Sequence, residues 1–101
     1  MTDAAVVLDA LGDPTRRTVL ELLRGGEQSV RELTDHTAVS QPAVSQHLRV
    51  LREAGLVEVR PEGARRLYRV RPDGLSELRA WVDHFWDDAL GAFVAHVEET
   101  R

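Results

Sequence analysis

Three groups of side chains in this sequence have the types and spacing to do chemistry. The first lies in VSQPAVSQHLRVL, residues 39 to 51, where Ser-Gln occurs twice, five residues apart. Gln41 and Gln46 are of the type that pairs with adenine. Ser40 and Ser45 can donate or accept, and Pro42 and Ala43 are small enough to touch a thymine methyl. Arg49, one turn on, suits a phosphate. Bulky or acidic side chains would clash with base edges or repel phosphate. A helix face that met only water would normally carry Glu, Lys and Arg.

The second group is Arg65 and Arg66, with Arg60, Arg69 and Arg71 close by in the chain. These can reach phosphates or an adjacent minor groove. The simpler reading is a solvated edge strand kept soluble by charge. The third group is Asp83, His84, Asp87 and Asp88. It permits a weak cation or hydrolytic site, but a solvated helix face accounts for it as well. There is no Cys nucleophile, no Gly-rich phosphate loop and no carboxylate–histidine pair in a plausible cleft, so no enzyme is expected.

The elements that must position these groups follow from periodicity. Ala4, Val7, Leu8 and Leu11 repeat at three and four, a first helix ended by Gly12. Asp13-Pro14 opens a second helix, filled by Val19, Leu20, Leu22 and Leu23 and stopped by Gly25-Gly26. Ser29-Val30-Arg31-Glu32 is a capping box for a short third helix with Val30 and Leu33 inward. Ser40 caps the fourth, with Pro42 in its first turn and Val44, Leu48 and Leu51 as its buried stripe. Pro42, Ser45, Gln46 and Arg49 then share the far side, with Gln41 at the tip. Leu56 to Arg60 alternates as a half-buried strand, Pro61 to Ala64 turns, and Arg65 to Arg71 pairs back. A long helix follows from about residue 73 to 99. Leu75, Leu78, Val82, Phe85, Trp86, Ala89, Phe93 and Val97 form its broad stripe. The predicted fold is mainly α with a small β-hairpin, ordered α-α-α-α-β-β-α: a winged helix-turn-helix whose hairpin is the wing.

The chain has 101 residues, enough for a single domain, 1–101, with one modest core. Its thirteen basic residues are all Arg, and its net charge is −4. Seven of those Arg lie between residues 40 and 71 against three acids, so a basic middle is flanked by acidic ends. That middle is the part expected to meet an anion. There is no cysteine, which excludes disulfides and thiolate metal sites and fits a reducing compartment. The opening MTDAAVVLDALGD makes a poor secretory signal, and no apolar run is long enough to span a bilayer. The expected location is cytoplasmic, with no membrane partner.

LGDPTRRTVLELL, followed by SVRELTDHTAVSQPAVSQHLRVLREAGLVEVRPEGARRLYRV, resembles the ArsR/SmtB-type family of bacterial winged-helix repressors over nearly the whole chain. The resemblance implies a homodimer that binds a double-stranded operator with two half-sites and is released by an inducer. Base contacts carry over to Gln41, Pro42, Ser45 and Gln46. Some family members bind metal through Cys-x-Cys in the third helix, which here reads SVRELTDH. Others use Asp, one residue, His, ten residues, His, two residues, then His or Glu in the last helix. At those positions stand Asp83, Phe85, His96 and Glu99, so the first imidazole is replaced by an apolar ring. His84 is one residue out of register, about 100° away on a helix. No metal site and no cofactor are therefore expected, with Asp83, His96 and Glu99 as the residual candidates.

Trp81, Phe85, Trp86 and Phe93 are a large aromatic load for the last helix of a small domain. A similar Phe-Trp-Asp-x-Ala-Leu segment marks a subgroup of the family with no obvious metal site. Together with Val7, Leu8 and Leu11 of the first helix they are expected to form the dimer interface, part core and part contact. The expected function is a sequence-specific, homodimeric transcriptional repressor released by an unknown signal. Two alternatives stay open: a metal-responsive repressor using the last helix, and a winged-helix protein-interaction module that does not bind DNA.

Overall fold

The computed structural model describes residues 3–100. Among these described residues, five helices and three strands follow one another: α1 (Ala4–Ala10), α2 (Pro14–Leu22) ending in a 3-10 turn (Leu23–Gly25), β1 (Gln28–Ser29), α3 (Val30–Asp35), α4 (Gln41–Glu53), β2 (Val57–Glu62), β3 (Arg65–Val70) and α5 (Ser76–Glu99). This is the helical fold with a wing that the sequence predicts.

Local chemistry sets most boundaries. The Asp13 carboxylate accepts from the backbone N–H of Thr15 at 2.8 Å and of Arg16 at 3.1 Å, with Pro14 in the first turn of α2. Those bonds satisfy donors that a helix start leaves without partners. At α3 the capping box closes in both directions: Glu32 N–H donates to Ser29 Oγ at 3.2 Å, and Ser29 N–H donates to Glu32 Oε1 at 3.1 Å. Ser40 Oγ accepts from Ala43 N–H at 3.4 Å to open α4. At the other end of α4, Leu56 N–H donates to Leu51 O at 2.9 Å and Gly55 N–H to Arg52 O at 3.0 Å. That pair of bonds is a Schellman cap, with Gly55 in the left-handed region at φ 79°.

Val7, Val19, Leu33, Val44, Leu48, Leu51 and Leu56 are fully buried in one core, which Leu23, Val57 and Ala54 extend. Each fully buried Val or Leu contributes about 1.5–3 kcal/mol of transfer free energy. Val7 therefore belongs inside its own subunit. Val7, expected from the sequence at the dimer contact, has no exposed surface in the single chain. Leu11 is half-buried against the same core, and Leu8 is exposed.

The sheet holds one strand more than the sequence predicts. Gln28 and Ser29 pair antiparallel with Tyr68 and Leu67, giving the order β1-β3-β2. Strand β3 is therefore central, and Arg65 and Arg66 lie on it just beyond the β1 pairing, joined there to β2 alone. Strand β2 also continues through Pro61 to Glu62, so only Gly63 and Ala64 form the turn. Gly63 has φ 60° and opens a two-residue hairpin loop, a position that favours glycine. Pro61 is tolerated because β2 is an edge strand.

Helix α5 begins at Ser76, three residues later than expected, and none of its residues is buried. From Arg79 to Thr100 every residue is exposed. The chain measures 67 × 27 × 21 Å. Helix α5 spans about 36 Å at 1.5 Å per residue, about half of the longest of these dimensions. Among the described residues, no helix is long and apolar enough to cross a membrane.

Candidate nucleic-acid interface

The apolar stripe of α4 fixes which side of the helix faces out. Val44, Leu48 and Leu51 are fully buried against the core. Ser40, Gln41, Pro42, Ser45, Gln46 and Arg49 are all exposed, and Ala43 is half-buried beside them. The structure thus brings the residues predicted to read bases onto one accessible surface of one helix. Its N-terminal turn is short-chained and carries no acid.

The wing stands next to this surface. An open groove of about 660 Å³ runs between α3, the first residue of α4 and the hairpin, lined among others by Arg31, Glu32, Gln41, Ala64, Arg65 and Arg66. Arg31 was not singled out from the sequence. Its place in the second position of α3 gives no charge pattern to notice, and only the fold sets it across from the wing.

The cations of the hairpin are not equivalent. Arg60 forms a two-pronged pair with Glu27, Nε to Oε2 at 2.7 Å and Nη2 to Oε1 at 2.9 Å. Arg69 pairs with Glu58 at 2.6 Å and Arg71 with Asp73 at 3.1 Å. Arg65 lies 3.4 Å from Glu32 and 3.5 Å from Glu62. Arg66 makes no salt bridge among the described residues. Most of the apparent positive charge of the hairpin is therefore answered locally, and the uncompensated charge sits at Arg66, near the wing tip. Arg49 is paired with Glu53 at 3.1 Å across one exposed helical turn, a contact weak enough to exchange for another anion.

The acids taking part show the same electrostatics. The Ser29 backbone N–H, followed by its hydroxyl and then Arg65, holds the Glu32 carboxyl below its ordinary value. Arg60 does the same for Glu27. Asp13 is lowered chiefly by the Arg16 N–H, with Thr15, His47 and the Arg16 charge adding to it.

Behind α4, Arg16 spans two elements. Its Nε donates to the Ala10 carbonyl at 2.6 Å, and its Nη1 lies 3.5 Å from His47 Nδ1. The last turn of α1 is thereby tied through α2 to the middle of α4.

The remaining candidates lie on α5. Trp81 and Phe85 stack at 5.8 Å with 15° between the rings, and Phe85 meets Trp86 edge-on at 6.3 Å. Trp81, Phe85, Trp86 and Phe93 are about half exposed or more. Asp83, His96 and Glu99 are also exposed. Asp83 and His96 are thirteen residues apart on one helix, a rise of about 20 Å. A metal cannot bridge them within one chain. Among the described residues, no group of three or more His, Asp or Glu side chains is placed to hold a metal ion.

A capped helix with a short polar face, a preceding positioning helix and an Arg-tipped hairpin define a winged helix-turn-helix regulator. The sequence profile of the bacterial regulatory proteins of the arsR family matches residues 13–59. The chain is 47% identical over 89 residues to the HTH-type transcriptional regulator Rv2034 of Mycobacterium tuberculosis, covering 88% of this chain and 83% of that one. It is 32% identical over 79 residues to the transcriptional repressor SdpR of Bacillus subtilis, covering 78% and 88%. It also superimposes with a TM-score of 0.67 at 35% identity on the homodimeric winged helix-turn-helix DNA-binding domain Mb0332 of Mycobacterium bovis, solved in solution, over 85% of this chain and 80% of that one. The protein belongs to the ArsR family of bacterial transcriptional regulators.

Proposed function

We propose that two copies of this chain pair through α1 and α5 and repress transcription by occupying a double-stranded operator, until an unidentified signal lowers their affinity. The observation that carries this reading is the exposed face of α4. Its hydrogen-bonding side chains stand clear of the core, next to a groove whose far wall is the wing. Each α4 would enter a major groove, the two lying about 34 Å apart along the duplex. Gln41, Ser45 and Gln46 are assigned to base edges, Pro42 and Ala43 to thymine methyls, and Ser40 to the helix tip. Arg49, Arg65 and Arg66 are assigned to phosphates, with Arg65 exchanging Glu32 for the duplex.

The dimer contact is assigned to Leu8, Leu11, Trp81, Phe85, Trp86 and Phe93. The homodimeric relative and the exposed aromatic arm both support it, since an arm of this size on a single copy leaves a large apolar patch in water. The reading places the protein in the cytoplasm, acting as a regulator and not an enzyme.

The test is fluorescence anisotropy on the DNA upstream of its own gene, against random competitor, at several salt concentrations. Binding that survives competitor and weakens steeply with salt supports the reading. Binding indistinguishable from random DNA on that fragment and on a genomic library points instead to a protein partner for the winged helix.

A further inference from the structure

The root of α5 meets the reading helix through backbone. Gly74 is buried, and a Cβ built on it would lie 2.5 Å from the Gly55 carbonyl oxygen, 3.0 Å from Leu56 Cα and 3.2 Å from the Arg71 carbonyl oxygen. Its φ is not in the left-handed region, which among the described glycines holds Gly26, Gly55 and Gly63. Glycine stands at position 74 for space and not for backbone conformation. What it touches is the Schellman cap of α4, whose Gly55 and Leu56 end that helix.

The same turn is tied on its other side. Arg71 N–H donates to the Leu56 carbonyl at 2.9 Å, Gly74 N–H donates to the Arg71 carbonyl at 3.0 Å, and the Arg71 side chain holds Asp73 at 3.1 Å. The C-terminus of α4 and the entry to α5 are therefore one rigid joint. Beyond that joint, Leu78 packs against the core, and every residue from Arg79 onward is exposed. Besides this joint, α5 packs against α1, so the direction of a helix about 36 Å long is set near its base, and a small shift at Gly74 becomes a large one at the far end.

We propose that the contact of Gly74 with Gly55 fixes the angle between α4 and α5, and through it the half-site spacing that a dimer accepts. The inference rests on the dimeric DNA-binding reading above. A two-fold axis applies any change of angle twice, once in each subunit, so the separation of the two reading helices responds strongly to this joint.

The experiment uses the full chain. A half-site is first selected from random duplexes by the wild-type protein. Two inverted copies are then placed in a series of duplexes whose spacer grows by one base pair at a time. Anisotropy reads affinity and sedimentation reads the oligomeric state. The wild type is expected to be dimeric and to prefer one spacing. Gly74→Ala is expected to remain dimeric, to lose about tenfold at that spacing, and to bind best at a spacing changed by at least about one base pair, some 3.4 Å and a tenth of a turn. Gly91→Ala, where an added Cβ meets nothing within 4 Å, is expected to keep the wild-type spacing.

A folded Gly74→Ala protein with the wild-type spacing profile overturns the inference. Should Gly74→Ala lose its helical circular dichroism, Asp73→Ala decides, since it frees the same turn without adding an atom at the joint. It is expected to discriminate less between neighbouring spacers, and wild-type discrimination overturns the inference. A wild-type protein that is monomeric, or that selects no half-site, overturns the dimeric reading itself before either variant is made.

Discussion

Gln46 and Arg66 are both exposed, and recognition would use them differently. Gln46 stands on the outer face of α4, where an amide can make two hydrogen bonds to one base. Replacing it with Ala is expected to cost about 1–3 kcal/mol on the operator and little on random DNA. Competition anisotropy on both duplexes checks this, and equal losses would remove Gln46 from base reading. Among the described residues Arg66 has no acid to answer it, so its charge is available to a phosphate. Arg66→Ala should weaken both duplexes alike and reduce the slope of log affinity against log salt by about one. The same substitution at Arg60 should change that slope far less, because Glu27 already holds its guanidinium at 2.7 and 2.9 Å. An Arg60→Ala slope as flat as that of Arg66→Ala would show that the local pairing does not matter.

At the scale of elements, the helices were largely legible because their signals are local. Asp13-Pro14, Ser29 to Glu32, Ser40 with Pro42, and Gly55 each act within a few residues, and each ends or begins a helix in the structure. Strand β1 was not legible: two residues are too short to alternate, and their partners on β3 are about forty positions away. The pairing of Arg60 with Glu27 and of Arg65 with Glu32 spans 33 positions in each case, so a count of charges along the chain overstated the wing. Val7 could be recognised as apolar, but periodicity does not say whether its own subunit or another covers it. The α3 capping box also carries a pH dependence. The Glu32 carboxyl titrates below its ordinary 4.5 because Ser29 and Arg65 favour the ionised form. Its contribution to stability is complete above that value and is lost as the pH falls through the lowered one. Thermal melts should fall as pH drops below about 4.5, and Glu32→Gln should flatten that fall, Glu27 and Asp13 supplying the remainder. An unchanged acid limb in Glu32→Gln would mean the box is not ionised as described.

For the whole molecule, the decisive feature is an arm with no buried residue on a body with a complete core. The two parts should respond separately to substitution. Phe93→Asp, at a residue 64% exposed, is expected to leave the melting temperature of a dilute monomer nearly unchanged. In sedimentation it should abolish the dimer and, with it, operator binding. A Phe93→Asp protein that stays dimeric would place the contact elsewhere on the arm. The wild type should instead melt at a temperature that rises with protein concentration, because association stabilises the folded chain by mass action.

That exposed arm also bears on how the regulator counts itself. On the proposed pairing, a subunit finishes covering its apolar surface only by meeting another. Below the dissociation constant, the number of functional dimers then follows the square of the number of chains made. Halving synthesis leaves a quarter of the dimers, so a modest drop in expression becomes a sharp release of the operator. The threshold for that release is written in the side chains of α5, far from any base the protein would read.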